Sequence, residues 1–285
     1  MDIATVNGYA LSSPIEPVQE RRFHGGTRHL KKRDVVLVVV ETSDGTRGVA
    51  TAGASSSAMT EYFEGKSQGT FADIVDDAVA DALEGETVET VANAHDLLRN
   101  ANLPAGDLTE AISAVDVALY DIRGKRQGVP VYELLAAEYD TTPSTELPLY
   151  ASAGMYMEPE GYVEQAEVIE GLGFFGYKYR PGIGSEGDRR TVELLAETLE
   201  ETEFMLDSHT WWKLGESYGF DTVRDLIEHA HEHGAYWIEE PAIPNDHEGY
   251  VELAATSAAL AGGESEASPA GLVELGETGA VRFLQ

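Results

Sequence analysis

Lys178, Asp207, Glu239 and Glu264 each follow a short apolar run, "FFGY", "FML", "YWI" and "ALAGG". They lie 29, 32 and 25 residues apart, and each interval is long enough for one strand and one helix. If the runs are parallel strands joined by helices, their carboxyl ends share one face. In a (β/α) barrel that face holds the active site. Three carboxylates converging there are costly unless a cation joins them. An oxygen-only donor set favours one hard ion, Mg²⁺ ahead of Mn²⁺. Arg180 follows Lys178 by two residues and shares its strand parity, so both can enter the site. His209 follows Asp207 by two. Alternation also sends Trp237 inward with Glu239, Met205 with Asp207, and Gly262 with Glu264. Ile238 and Glu240 then face the helices or solvent.

A single acid at a strand end reads as a solvated loop residue or a helix cap, and in so acidic a chain any one could be chance. Three on consecutive strands, with a lysine on the strand before, read as a site. The "HAHEH" stretch has the opposite balance. His229 and His233 have the helical spacing that suits zinc, but they sit at a helix end leading into a strand, away from the catalytic face. They are read as solvated, as are His95, His247 and Glu240.

The elements that must position these residues are legible in outline. Residues 1–20 supply a strand, and residues 34–53 form a hairpin about "SDGT". From about residue 72 to 138 the pattern is helical, with Leu108, Ile112, Val115 and Leu119 on one helix face, and Asp107 as N-cap with Glu110 completing a capping box. After Pro148, short apolar runs alternate with amphipathic helices up to "VRFLQ", the signature of a parallel α/β sheet or barrel. The expected fold class is α/β: an N-terminal α+β domain over residues 1–140, then about six strands of a (β/α) barrel over residues 141–285.

Composition narrows the partners. The net charge is −32, from 51 acidic and 19 basic residues, so nucleic acid and anionic membranes are not expected partners. The acids are dispersed through a chain that is 42% hydrophobic, which reads as a halophilic surface on a folded protein. Cysteine is absent, which excludes disulfides, thiolate metal sites and cysteine nucleophiles. No apolar run is long enough to span a membrane and the N-terminus lacks signal-peptide character, so a cytoplasmic protein is expected.

The stretches "DGTRGVATAG", "AISAVDVALYDIRGKRQGVPVYELL", "GYKYRPG", "FMLDSHTWW", "YWIEEP" and "LAGGES" together resemble the mandelate racemase/muconate lactonizing enzyme family of the enolase superfamily. The resemblance implies a capping domain over a modified (β/α) barrel. It also implies abstraction of the proton next to a carboxylate, with Mg²⁺ stabilising the enediolate. On that pattern Asp207, Glu239 and Glu264 are metal ligands, Lys178 or a base on the further strands of the family takes the α-proton, and Arg180 is a carboxylate clamp or electrostatic stabiliser. The spacing Asp207-Ser208-His209 resembles the acid-sugar dehydratases, in which His209 would protonate a departing hydroxyl. His24, Arg28 and Ser56, on the stretches "FHGGTRH" and "GASSS", would contact substrate hydroxyls. The implied reaction is dehydration of a sugar acid to a 2-keto-3-deoxy acid, by a homo-oligomer. The alternatives are a racemase or epimerase and a non-catalytic metal-binding member. The family pattern continues with strands seven and eight, so a C-terminally truncated barrel is expected.

Overall fold

The computed structural model describes residues 1–23, 26–52, 69–101, 103, 108–155, 157–213, 217–266 and 268–285. Contacts divide the chain into two units, Met1–Gln19 with His29–Thr145, and Glu20–Arg28 with Glu146–Gln285.

A three-stranded sheet, most of it in the first unit, has the order β1 (Ile3–Phe23), β2 (Gly26–Thr42), β3 (Arg47–Ala52). β2 and β3 are antiparallel, with Val38 opposite Ala50 and Val40 opposite Gly48. The turn between them is closed by Asp44, whose carboxylate accepts from Thr42 Oγ1 at 2.7 Å and from the Thr46 N–H at 3.0 Å. The helices are α1 (Gly69–Ile74, running on through a π turn at Val75–Val79 and Ala80–Leu83), α2 (Val91–Arg99), α3 (Leu108–Gln127) and α4 (Val131–Glu138). α3 buries Ala111, Ala114, Val115, Ala118, Leu119 and Ile122. The expected face is the one that packs, with Val115 and Leu119 buried and Leu108 and Ile112 partly buried against the same core. The alanines on this face let the helix approach closely. Asp107 lies outside the described residues.

The second unit is a six-stranded parallel sheet in sequential order, an incomplete (β/α) barrel. Its strands are β4 (Tyr150–Met155), β5 (Gly176–Arg180), β6 (Glu203–Asp207), β7 (Ile238–Glu239), β8 (Leu260–Gly262) and β9 (Phe283–Leu284). Between them run α5 (Pro159–Gly171), α6 (Ser185–Thr198), α7 (Thr210–Lys213) with α8 (Phe220–Glu232), α9 (His247–Ala254) and α10 (Pro269–Glu277). Alternation sorts the strands into two layers. Tyr177, Tyr179, Phe204, Leu206, Ile238 and Leu260 pack with the helices. Met205, Trp237 and Ala261 face the other way, with Tyr150, Phe175 and Phe283 against them. Among the described residues no helix is long and apolar enough to cross a membrane.

Candidate active site

Three adjacent strands deliver the site at their carboxyl ends. Lys178 is in register with Met205, and Asp207 with Glu239. Lys178, Asp207 and Glu239 are buried, at 6%, 2% and 1% exposure. The Lys178 ammonium lies between the two carboxylates, 2.5 Å from Glu239 Oε1 and 3.9 Å from Asp207 Oδ2. The Arg180 guanidinium is 3.2 Å from Asp207 Oδ2, and His209 Nδ1 is 2.5 Å from Asp207 Oδ1. Trp237 Nε1 donates to Glu239 Oε2 at 3.2 Å, the contact that shared strand parity predicts. Burial by itself would push the Asp207 carboxyl up. The His209 hydrogen bond and the charges of His209, Arg180 and Lys178 outweigh it and hold the group below its usual range.

Glu264 stands apart. Ala261, not Gly262, shares the inner layer with Met205 and Trp237. Gly262 faces α9, where a Cβ would meet the Tyr250 hydroxyl at 2.5 Å. Gly263 then turns the chain at φ +124°, which ends the alternation, and Glu264 lies exposed in the turn. Among the described residues no three acid or histidine side chains gather closely enough to hold an ion. The donor set fits a hard dication in kind, because two oxygen ligands lie side by side with a cationic group already between them. Asp207 and Glu239 would hold it, and Glu264, the third carboxylate expected from the sequence, lies outside this group.

Several contributors escaped the sequence reading. Gln285 Nε2 donates to Glu239 Oε2 at 3.0 Å. The Lys178 ammonium lies 5.6 Å from the Tyr150 ring centroid. Asp188 is buried and ties the loop after β5 to the segment after β6. Its Oδ1 accepts from the Gly182 and Ile183 N–H groups at 2.8 and 3.2 Å, and its Oδ2 from Trp211 Nε1 and Tyr218 Oη at 3.0 Å each. Burial raises its pKa despite these donors. No spacing rule picks Asp188 out, because its partners come from three separate segments.

The solvated reading of Glu240 is corrected. It is 2% exposed at φ +48°, a left-handed conformation that costs a side chain of this kind about 1–3 kcal/mol. Its pKa is raised by burial first, then by Glu264, Glu239 and Asp207. The histidines are also less solvated than expected. His229 packs with its ring centroid 4.2 Å from that of His233, and His247 Nε2 is 2.9 Å from Glu266 Oε1. His95 Nε2 is 2.8 Å from Asp116 Oδ1. His24, Ser56 and the side chain of Arg28 lie outside the described residues.

The chain is similar to known proteins along most of its length. The family pattern described as "Mandelate racemase / muconate lactonizing enzyme, N-terminal domain" matches residues 14–136, and that described as "Enolase C-terminal domain-like" matches residues 161–285. A Caldivirga maquilingensis protein, provisionally named an L-rhamnonate dehydratase, is 30% identical over 291 residues, 98% of this chain and 65% of the relative. The L-rhamnonate dehydratase of Saccharopolyspora erythraea is 32% identical over 252 residues, 85% of this chain and 57% of the relative. The chain thus spans under two thirds of the length of these curated relatives. Among solved structures, an enolase superfamily member from a Polaromonas species superposes with a TM-score of 0.80 at 26% identity, over 100% of this chain and 71% of that one. The N-succinyl Arg/Lys racemase of Bacillus cereus superposes with a TM-score of 0.80 at 20% identity, over 100% and 72%. This last likeness concerns the fold alone.

Proposed function

The chain belongs to the mandelate racemase/muconate lactonizing enzyme family of the enolase superfamily, and on that premise we propose that it serves Mg²⁺-dependent removal of a proton α to a carboxylate, in the dehydration of a sugar acid to a 2-keto-3-deoxy acid. The observation that carries this reading is the gathering of Lys178, Arg180, Asp207, His209 and Glu239 at the ends of three adjacent parallel strands. Bound Mg²⁺ would stabilise the negative charge that develops on the substrate carboxylate. Asp207 and Glu239 would hold it, and Glu264, exposed in its turn, would supply the third carboxylate. Lys178 Nζ faces the same space, and once its ammonium proton has passed to solvent the neutral amine would take the α-proton. Arg180 fixes Asp207 and adds a permanent positive charge beside the developing anion. The His209 ring is oriented through Nδ1 by Asp207, which leaves Nε2 to protonate the departing hydroxyl. The dehydratase names of the two curated relatives support water loss over simple epimerisation.

The test is a panel of aldonic and aldaric acids, incubated with Mg²⁺ at low and at multimolar salt. Keto-acid formation that is lost in His209→Asn is expected. Deuterium exchange at the α-carbon without loss of water would replace the dehydratase reading by a racemase or epimerase. Mg²⁺ binding with neither exchange nor water loss on any acid would leave a metal-binding protein.

A further inference from the structure

The end of the β7–β8 ladder carries a substitution of one acceptor for another. Ile238 N–H donates to Ala259 O at 2.9 Å and Glu240 N–H to Ala261 O at 3.0 Å, a regular parallel pattern. The next rung of such a ladder would run from Gly263 N–H to the main-chain carbonyl of Glu240. Here that carbonyl has turned away and accepts from Trp212 Nε1 at 2.9 Å. The Glu240 side chain takes its place, and Oε1 accepts the Gly263 N–H at 2.8 Å. A glutamate buried at a left-handed position followed by Pro241 is an unfavourable choice for merely ending a strand. The same turn is held at its far side, where Glu266 N–H donates to Gly263 O at 3.0 Å and Glu266 Oε1 lies 2.9 Å from His247 Nε2.

We propose that Glu240 is a positioning residue for the Gly263–Glu266 turn, its carboxylate replacing the last ladder carbonyl and thereby fixing where Glu264 is presented to the metal. The consequence for metal binding rests on the reading of Glu264 as the third ligand; the consequence for the turn does not. Reach, not charge, is what the hydrogen bond needs. Glu240→Gln keeps an oxygen at the same distance, whereas Glu240→Asp keeps the charge and falls one methylene short.

The experiment compares the wild type, E240Q, E240D, E264A and the double variant E240D/E264A. Two readouts are taken, hydrogen exchange at the Gly263 amide without metal and Mn²⁺ affinity by electron paramagnetic resonance. Expected are loss of Gly263 protection in E240D but not E240Q, and Mn²⁺ binding weakened about 10–100-fold in E240D. The double variant should bind no more weakly than E264A, since Glu240 acts through Glu264. Wild-type protection and affinity in E240D would overturn the proposal, as would an E240Q that fails while E240D succeeds. Wild-type affinity in E264A would instead remove Glu264 from the ligand set, and the Gly263 exchange would still decide whether Glu240 holds the turn.

Discussion

The ends of β5, β6 and β7 and the end of β8 solve the same problem in different ways. The first three bring Lys178, Arg180, Asp207 and Glu239 together while the strands are still paired, so alternation places every one of them. β8 ends at Gly262, and its acid arrives two residues later, after a glycine at φ +124°. The difference is one of constraint. A paired strand fixes side-chain direction, whereas a turn delegates it to whatever anchors the turn.

The largest effect should come from breaking the first group. Glu239→Ala leaves the buried Lys178 ammonium without its 2.5 Å partner. It should cost about 3–5 kcal/mol in urea unfolding with chelator present. Next is Asp188→Ala, which strands four donors behind the loops that follow β5 and β6. We expect about 2–3 kcal/mol, read in the same way, with Asp188→Asn also destabilising because its amide nitrogen would face donors on one side. Ser268→Ala removes the N-cap of α10, whose hydroxyl accepts the Gly271 N–H at 3.2 Å. It should cost about 1 kcal/mol, because it acts on the β8 side alone. Glu264→Ala should change metal-free stability by no more than about 0.5 kcal/mol. A loss as large as that of Glu239→Ala would erase the contrast between the two regions.

A pH series offers a control remote from both strand ends. Burial, then His233 and Arg189, lower the pKa of His229 from 6.5. The folded state therefore prefers the neutral ring. Its contribution is intact above 6.5 and is lost as pH falls through the lowered value. Denaturant midpoints should decline below pH 6.5, and His229→Gln should flatten that slope. An unchanged slope would show that the pair of His229 with Glu193 of α6, 3.7 Å apart, does not sense the ring.

The repeating strand–helix rhythm after Pro148, the hairpin at residues 34–53 and the common face of Lys178, Asp207 and Glu239 are all legible in the amino-acid sequence. Each rests on local periodicity and on the direction that pairing imposes. The pairing of Trp237 with Glu239 follows from the same alternation. The place of Glu264 is not legible, because alternation stops at Gly263. The burial of Glu240 is not legible either, because its partner lies 23 residues away on the neighbouring strand. Asp188 belongs to the same class, since its four donors converge only when three segments fold together. Local pattern determined which strands carry the acids and which way paired residues face. Only tertiary packing decided which carboxylates meet a cation, which are buried as supports, and which is left in a turn, because those outcomes depend on contacts between residues that sequence distance does not relate.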